Sequence, residues 1–354
     1  MRIKIYMSDN EENKENLEIE DFCEIPKTKP KWRRWFFSFW IFILVAVLAG
    51  AGSLLVYKTG FTFSQMQVDE IPAGILPLSE HTPMPEADRL NILLLGLRGE
   101  NDDNGGLLTD SIMVVSLKKS TGQAALISIP RDLYVKMPGE DYKEKINYAH
   151  ALGYEKRGAA GGLLYSKIVV SKATGLYLNH AIAVNHQAFK EIVDILDGVD
   201  IYLDKPFSEK TQFAKEILID MPAGQNHLNG ATALYFVRSR FSTSDFDRAR
   251  RQQLVLLAIK NKIISLKLLT NPVKIFQILE SLGRNVKTDL GLSEIKNLID
   301  LSQKLNDKNI IHKVFDTTPE GLLYSAHAEK GAYILLPVSD NFDKIHEACR
   351  NIFE

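Results

Sequence analysis

The sequence predicts an α/β fold with a mixed central sheet that is covered on both faces, preceded by one N-terminal transmembrane helix. Short apolar segments bounded by turn residues, and their alternation with helical patterns, predict the sheet. A run of about 23 residues without a formal charge predicts the transmembrane helix. With 354 residues, 45% hydrophobic and 25% charged, the chain can bury a substantial core. A net charge of −1 creates no global field that would recruit nucleic acid.

The N-terminal part divides into a polar segment and an apolar segment. Residues 1–34 have the composition of a short disordered cytoplasmic tail. The uncharged run 35–57 is long enough to cross a hydrocarbon core of about 30 Å. Basic residues crowd before this run and are rare after it, which places the N-terminus in the cytoplasm and everything after the run outside. A cleaved signal peptide is the alternative, but the apolar run is too long for a usual signal sequence.

The exported part begins with a linker and continues into a predicted catalytic domain. Residues 58–88 are punctuated by prolines and favour an extracytoplasmic linker. Within the predicted domain, 89–265, three apolar segments fit buried strands, and the link Lys118–Gly122 favours a hairpin between the last two. These strands are Asn91–Gly96, Ser111–Leu117 and Gln123–Ile129.

Further elements follow toward the C-terminus. Val184–Leu196, Asn226–Phe236 and Arg248–Leu266 have helical spacing, and Val199–Leu203 is typical of a strand. Residues 266–354 are expected to form an extension of helices and a strand packed on the same domain. Its predicted elements are the helices Leu292–Leu305 and Asn341–Phe353 and the strand Gly331–Leu336.

Two motifs stand at the ends of the predicted strands. Asp110 lies where a glycine-rich loop meets a strand, so it could face a crevice and bind a metal, although an ordinary turn or capping role is common for such a residue. Pro130 ends a strand ladder and places Arg131 at the carboxyl end of the strand, where ligands bind in sheets of this kind. The alternative is a surface pair between Arg131 and Asp132.

The most specific pattern is a cluster of arginines. If the chain is extended after Val237, Arg238 and Arg240 share a face; if a helix continues, they diverge by about 200°. The segment Asp245–Asp247 then supplies a predicted N-cap for a helix on which Arg248, Arg251 and Gln252 share a side.

The guanidinium group matches phosphate oxygens, so the arginine cluster favours a phosphate site. A salt-bridge network with Asp245 and Asp247 is the structural alternative. Nucleic-acid binding is disfavoured, because the cluster lies outside the membrane and lacks an aromatic stacking platform. The apolar stretch Leu254–Ile259 suits a buried core, and it would also suit a groove for a lipid chain.

Together these motifs resemble the LytR-CpsA-Psr family of membrane-anchored transferases. The resemblance rests on Thr109-Asp110-Ser111, Ile129-Pro130-Arg131-Asp132, Lys145-Ile146-Asn147 and the two arginine segments, and it covers Leu90–Lys262. It implies an α-β-α sandwich that moves a glycopolymer from a polyprenyl-pyrophosphate carrier onto peptidoglycan. It also implies Mg²⁺, or Mn²⁺ in its place, as cofactor. The expected partners are the lipid-linked glycan, a peptidoglycan acceptor and the bilayer, and no nucleic acid.

The resemblance implies roles for the site residues. The pyrophosphate is expected to bind Arg131, Arg238, Arg240 and Arg248, while Gln252 orients an oxygen. Asp132 or Asp247 is expected to accept the proton of the acceptor, and Asp110 to anchor the metal. Further substrate contacts are expected from Lys145, Arg251 and Arg98.

The sequence departs from the family at one position. Where the best-known family pattern has a Gly-x-Asp-like turn, this chain has Gly96-Leu97-Arg98. Asp102 or Asp103 in the following loop is then expected to supply the missing oxygen ligand. Two other functions stay open, a polyprenyl-pyrophosphate hydrolase and a non-catalytic lipid- or glycan-binding regulator of envelope biogenesis.

Overall fold

The computed structural model describes most of the chain after residue 82. The predicted tail, the predicted membrane span and most of the predicted linker and of the helix Leu292–Leu305 lie outside the described residues. No helix among the described residues is long and apolar enough to span a bilayer. The described residues all belong to one compact unit, Leu55–Glu354; they are 64, 66–68, 83–99, 106–210, 219–266, 283, 285–291, 294, 297, 298, 301, 310–329 and 331–354.

Strands and helices alternate through this unit. The strands are β1 (Arg89–Leu97), β2 (Thr109–Lys118), β3 (Gln123–Ser128), β4 (Tyr134–Lys136), β5 (Lys143–Lys145), β6 (His180–Asn185), β7 (Val199–Leu203), β8 (Phe207–Glu209), β9 (Ile219–Met221), β10 (Gly224–Leu228), β11 (Val286–Thr288), β12 (Ile310–Val314), β13 (Leu323–His327) and β14 (Tyr333–Pro337). The helices are α1 (Tyr148–Thr174), α2 (His186–Ile195), α3 (Gly230–Arg238), α4 (Asp245–Ser265) and α5 (Asp343–Arg350), with a short 3₁₀ turn at Val338–Asp340.

A six-stranded sheet forms the centre, in the order β11-β6-β1-β2-β3-β12. Strands β1, β2 and β3 are antiparallel neighbours, whereas β6 runs parallel to β1 and β12 parallel to β3. The predicted hairpin between β2 and β3 and the mixed sheet are therefore confirmed. Strands β11 and β12 form the two edges, so residues 266–354 complete the sheet in addition to packing on it.

One face of the sheet carries the main hydrophobic core. Alternate residues of β1, Leu93 and Leu95, are buried against helices α1 and α5. Helix α1 was not predicted from the sequence. Its interior contains Gly153, Gly161 and Gly162, which weaken helical propensity, and it bends at Arg157 and Gly158, where the backbone is non-helical.

The other face of the sheet is covered by α2, α3 and α4. These helices pack on a second apolar cluster that includes β7 and β10. The predicted strand β7 is confirmed, but it pairs with β10 in a separate two-stranded sheet. Helices therefore lie on both faces of the central sheet, as in an α-β-α sandwich.

Three element boundaries differ from the predictions. The segment predicted as the helix Val184–Leu196 begins as the end of β6, and the Asn185 side chain caps α2 by accepting the Ala188 amide at 2.9 Å. The helical pattern predicted from Asn226 is β10 followed by α3, which Asn229 caps. The N-cap of α4 is Ser244, which forms a capping box with Asp247. For α2 and α3 a polar residue inside the predicted element is the cap that begins the true helix, whereas the cap of α4 lies one residue before the predicted segment Asp245–Asp247.

We predict that Gly153→Ala destabilises the fold. The two halves of α1 approach so closely that a Cβ on Gly153 would overlap the carbonyl oxygen of Gly161. Because that oxygen belongs to backbone, relief requires the halves to separate, at a cost of about 1–3 kcal/mol. Urea unfolding followed by far-ultraviolet circular dichroism measures the change.

The control is Glu155→Ala, an exposed substitution in the same helix. It should change the free energy of unfolding by less than about 0.5 kcal/mol. Equal unfolding midpoints for the two variants would contradict the close packing of the two halves of α1.

Candidate active site

A β-bulge positions the acidic residue of the site. In the pairing of β1 with β2, Gly96 lies opposite Ser111 and Leu97 lies opposite Thr109, so Asp110 is an extra, unpaired residue. Strict alternation would send Asp110 and Ser111 to opposite faces of the sheet, but the bulge lets both line the same cavity. The predicted exposure of Asp110 to a crevice is confirmed.

The cavity lies between the sheet and helices α2–α4 and has a volume of about 510 Å³. Residues at the ends of β1, β3 and α3 and at the beginning of β2 and α4 meet at its polar end. The side chains found there are Arg98, Asp110, Ser111, Arg131, Arg238, Arg240, Arg248 and Gln252. The structure therefore brings all five of these predicted arginines, as well as Gln252 and Asp110, to one place.

Asp110 lies between two guanidinium groups. Its Oδ1 accepts a hydrogen bond from Arg131 Nη1 at 2.6 Å, and its Oδ2 accepts one from Arg98 Nε at 3.1 Å. Burial opposes ionisation of this carboxyl, but the two arginines outweigh burial and hold its pKa below the usual value. The contacts of Asp110 with the two arginines therefore stabilise the fold in full above the ordinary pKa of an aspartate. This stabilisation is lost only as the pH falls through the lowered pKa of Asp110.

Arg131 is surrounded by carboxylates. Besides Asp110, its Nε lies 3.7 Å from both Asp132 Oδ2 and Asp245 Oδ2. Burial alone would lower the pKa of Arg131, but these acids raise it, so the group is a firmly held cation. Its buried Nε makes no hydrogen bond within the described structure.

Arg238 and Arg240 reach the cavity from the end of α3. The helix ends at Arg238, and Ser239 is extended, with φ −59° and ψ 135°. The extended exit, one of the two possibilities predicted from the sequence, is therefore the one observed, and both arginines line the cavity.

Arg251 holds this exit in place. Its guanidinium donates to the carbonyl oxygens of Phe236, at 3.0 Å, and Ser239, and to Thr243 Oγ1 at 3.1 Å. The group also lies 4.7 Å from the ring centroid of Phe207. Burial lowers the pKa of Arg251 to about 10, which leaves it cationic at neutral pH. Arg251 therefore positions Arg238 and Arg240 and does not itself line the cavity.

Helix α4 contributes Arg248 and Gln252. Arg248 Nη1 lies 3.1 Å from Asp245 Oδ1, and burial together with the charges of Arg131 and Arg240 lowers its pKa in spite of Asp245. Gln252 accepts from Ser111 Oγ at 2.9 Å and donates to the Val237 carbonyl oxygen at 3.2 Å. Gln252 thus joins the bulged strand to the end of α3.

Several predicted site residues do not line the cavity. Asp132 pairs with Lys145 at 2.6 Å, so these two side chains neutralise each other behind Arg131. Asp247 belongs to the capping box of α4 and pairs with Arg250 at 3.0 Å. Neither aspartate reaches the cavity as a proton acceptor.

Arg251 does not line the cavity either, although the helical spacing predicted a shared side for Arg248 and Arg251. Arg248 faces the cavity, whereas Arg251 lies in the packed interface beside it.

Two residues of the site were not predicted as catalytic or binding residues. Ser111 lies in the predicted strand, and only the bulge directs it to the cavity. Asp245 was predicted as part of a cap or, in the structural alternative, as a member of a salt-bridge network; it does pair with Arg248 three residues later and approaches Arg131. The i,i+3 spacing of Asp245 and Arg248 is the sequence signal for this pair.

The described side chains around Asp110 do not provide the ligands that a divalent cation needs. Both carboxylate oxygens of Asp110 are engaged by guanidinium groups, whereas a metal needs free oxygen ligands. Within the described residues no group of three or more histidine, cysteine or acidic side chains is arranged to hold a metal. Asp102 and Asp103 lie outside the described residues, so their predicted role as metal ligands stays a prediction.

The rest of the cavity wall is mainly apolar, with Asn185 and His186 as its polar residues. It begins at the arginines and runs between the second face of the sheet and the three helices. Its side chains are Leu94, Met113, Ile182, Val184, Phe189, Ile192, Leu234, Val237, Leu256 and Ile259. The part of the apolar stretch in α4 that includes Leu256 and Ile259 is therefore a cavity wall, as the sequence allowed. A ligand with an anionic head and a hydrocarbon chain matches this division.

Comparison with known proteins gives a consistent result. The model of the LytR_cpsA_psr family matches residues 65–351, a longer range than the motifs alone predicted. A polyisoprenyl-teichoic acid–peptidoglycan teichoic acid transferase TagU of Bacillus cereus is 29% identical over 296 residues, which cover 78% of this chain and 89% of that protein. The protein of the same name from Oceanobacillus iheyensis is 30% identical, covering 77% of this chain and 82% of its own length.

Solved structures share the fold. The crystal structure of Bacillus subtilis TagV has a TM-score of 0.59 and 24% identity, and covers 76% of this chain and 98% of its own. A structure of TagT bound to LIIa-WTA has a TM-score of 0.61 and 22% identity, and covers 80% of this chain and 98% of its own. The mixed sheet with helices on both faces is therefore the architecture of these proteins as well.

We predict that Arg251→Met destabilises the fold, whereas Arg250→Met does not. Methionine preserves the apolar length but leaves the buried carbonyl oxygens of Phe236 and Ser239 without donors, at a cost of about 3 kcal/mol. Arg250 is an exposed partner of Asp247 and Asp316, so its loss should cost less than about 1 kcal/mol. Urea unfolding measures both, and equal stability of the two variants would show that Arg251 is not a structural clamp.

Proposed function

Because the chain belongs to the LytR_cpsA_psr family, we propose that it is a membrane-anchored phosphotransferase that moves a teichoic acid-like glycopolymer from a polyprenyl-pyrophosphate carrier onto peptidoglycan. One observation carries the proposal: five arginines form one end of a cavity whose remaining wall is mainly apolar. The names of the curated relatives, transferases that act on polyisoprenyl-linked teichoic acid and peptidoglycan, support it.

The arginines supply charge stabilisation to the transfer. The acceptor hydroxyl oxygen forms a bond to the phosphorus that carries the glycan, and the bridging bond to the second phosphorus breaks. Polyprenyl phosphate leaves, and the proton of the hydroxyl passes to it or to solvent. Guanidinium groups bind phosphate oxygens through paired donors, and fixed cations stabilise the charge that develops in such a transfer.

Different arginines would hold different parts of the pyrophosphate. Arg131 and Arg248 are largely buried, and Asp245 lies beside both, so they form a fixed base of the phosphate site. Arg238 and Arg240 stand on the turn that Arg251 clamps, which holds their backbone before the substrate arrives. Gln252 is fixed at both ends of its amide and orients Ser111 toward the same space. Such preorganisation lowers the cost of arranging groups around the transition state.

The apolar wall would hold the polyprenyl chain. Phe189, Ile192, Leu256 and Ile259 come from two helices and face the apolar side chains of the sheet across the cavity. Removing an isoprenoid unit from water is favourable by roughly 25 cal/mol for each Å² of apolar surface. The lipid therefore contributes affinity, and the arginines fix where the pyrophosphate stops.

Hydrolysis is the second candidate function, because water could attack the same phosphorus. The relatives named as transferases favour peptidoglycan, and not water, as the acceptor. A non-catalytic regulator would bind the same lipid pyrophosphate through these arginines, so it is the transferase names of the curated relatives that favour an enzyme. The predicted location, with the N-terminus in the cytoplasm and the domain outside a single membrane span, would place the site beside lipid carrier and cell wall.

We predict that Arg240→Ala reduces turnover by about 10²–10³-fold, the usual effect of removing one group that stabilises transition-state charge. The full-length protein in detergent is incubated with a synthetic polyprenyl-pyrophosphate oligosaccharide and peptidoglycan fragments, and products are identified by mass spectrometry. Arg250→Ala, an exposed arginine outside the cavity, is the matched control and should retain activity.

The products of this reaction distinguish the candidate functions. Phosphosugar attached to peptidoglycan, lost in Arg240→Ala and kept in Arg250→Ala, supports the transferase. Phosphosugar released to water whether or not peptidoglycan is present would establish a hydrolase instead. Full turnover by Arg240→Ala would remove this arginine from the mechanism.

We predict that Cys23 reacts with a membrane-impermeant maleimide only after the cells are permeabilised. The proposed topology puts Cys23 in the cytoplasm, so intact cells should protect it. Cys349 is a built-in control: burial raises the pKa of its thiol to about 12, so it stays unlabelled in both samples of folded protein. Labelling of Cys23 in intact cells would reverse the proposed orientation.

A further inference from the structure

The contact of Arg98 with Asp110 has a consequence for how the site handles charge. Arg98 directly follows β1, and its Nε lies 3.1 Å from Asp110 Oδ2. Arg131 occupies the other carboxylate oxygen at 2.6 Å. The carboxylate that a resident metal would need is thus already shared by two permanent cations. A divalent ion approaching Asp110 would also meet strong repulsion from both guanidinium groups.

The backbone around this contact is suited to it. The register shift at Gly96 and Leu97 turns Asp110 toward the end of β1. Gly99, with φ 131°, donates its amide to the Gly106 carbonyl oxygen at 3.2 Å, which fixes the backbone directly after Arg98. The side chain of Arg98 is 32% exposed, so it is held by Asp110 and still reaches the cavity.

The positive charges of the cavity arginines are sufficient to neutralise a pyrophosphate without a metal. Five arginines and one aspartate line the cavity within the described residues. A pyrophosphate with a substituent on each phosphorus carries about two negative charges at neutral pH, and arginine pairs neutralise such groups through charge-assisted hydrogen bonds. A metal would add positive charge to a cavity in which burial, and after it the charges of Arg131 and Arg240, already lower the pKa of Arg248.

We propose that the site binds its pyrophosphate without a divalent cation, and that Arg98, anchored by Asp110, supplies the positive charge that a metal would otherwise bring. The proposal rests on the proposed function, because it takes the ligand of the cavity to be a polyprenyl pyrophosphate. Arg98 is then a substrate-binding residue, and Asp110 is a positioning residue that directs two guanidinium groups.

Binding of farnesyl pyrophosphate, a short polyprenyl pyrophosphate, tests the proposal. Isothermal titration calorimetry of the full-length protein in detergent measures the affinity once with excess EDTA and once with excess Mg²⁺. The two dissociation constants should agree within about twofold, less than the effect of one charged hydrogen bond. Arg98→Met should weaken binding by about tenfold under both conditions, and Arg250→Met should leave it unchanged.

Mn²⁺ gives a readout that does not depend on the lipid. Electron paramagnetic resonance of Mn²⁺ mixed with the wild-type protein should show only the free ion. Stoichiometric binding of Mn²⁺ that is lost in Asp110→Asn would overturn the proposal, and so would loss of farnesyl pyrophosphate binding in EDTA or an unchanged affinity in Arg98→Met. Absence of farnesyl pyrophosphate binding under both conditions would instead refute the proposed function, and the inference with it. Melting temperatures confirm that each variant is folded.

Discussion

Repulsion among five guanidinium groups is the constraint around which this site is arranged. Two charges 4 Å apart interact with about 4 kcal/mol at an effective dielectric constant of 20. The structure meets this cost by placing carboxylates between neighbouring arginines. Asp110 lies between Arg98 and Arg131, and Asp245 lies beside both Arg131 and Arg248. These acids keep the cations in place but do not neutralise them all, so an anionic ligand stabilises the folded protein when it binds.

The topology of the sheet explains why these residues meet. Strands β1 and β3 both terminate at the end of the sheet beside the cavity, so Arg98 and Arg131, which follow them, lie at that end. Strand β2 is antiparallel to both and begins at the same end, which brings Asp110 between the two arginines. Ligands usually bind at the carboxyl ends of strands in open α/β sheets. In this protein the antiparallel strand β2 adds the carboxylate of Asp110, which lies near the amino-terminal end of that strand.

Local signals in the sequence identified the strands and most of the cavity arginines, but not the tertiary details. Strands β1 to β3 are continuous apolar runs, so their pattern predicts them directly. The sequence gives no sign that Asp110 is the unpaired residue of a bulge, because a bulge depends on the register of two strands. Arg248 and Arg251 share a helical side, yet one lines the cavity and the other binds backbone carbonyls of α3. That difference depends on how α3 packs against α4, which helical spacing cannot specify.

The exposure of the arginines gives the cavity a direction. The side chain of Arg248 is 9% exposed, that of Arg131 17% and that of Arg98 32%. A pyrophosphate held at Arg248 and Arg131 is therefore largely removed from water, where each charged hydrogen bond is stronger. In the proposed transfer this order would be useful, because a lipid-linked donor in the inner part of the cavity would displace water from the arginines. The open side, at Arg98, would then be where the hydroxyl of the acceptor reaches the phosphorus.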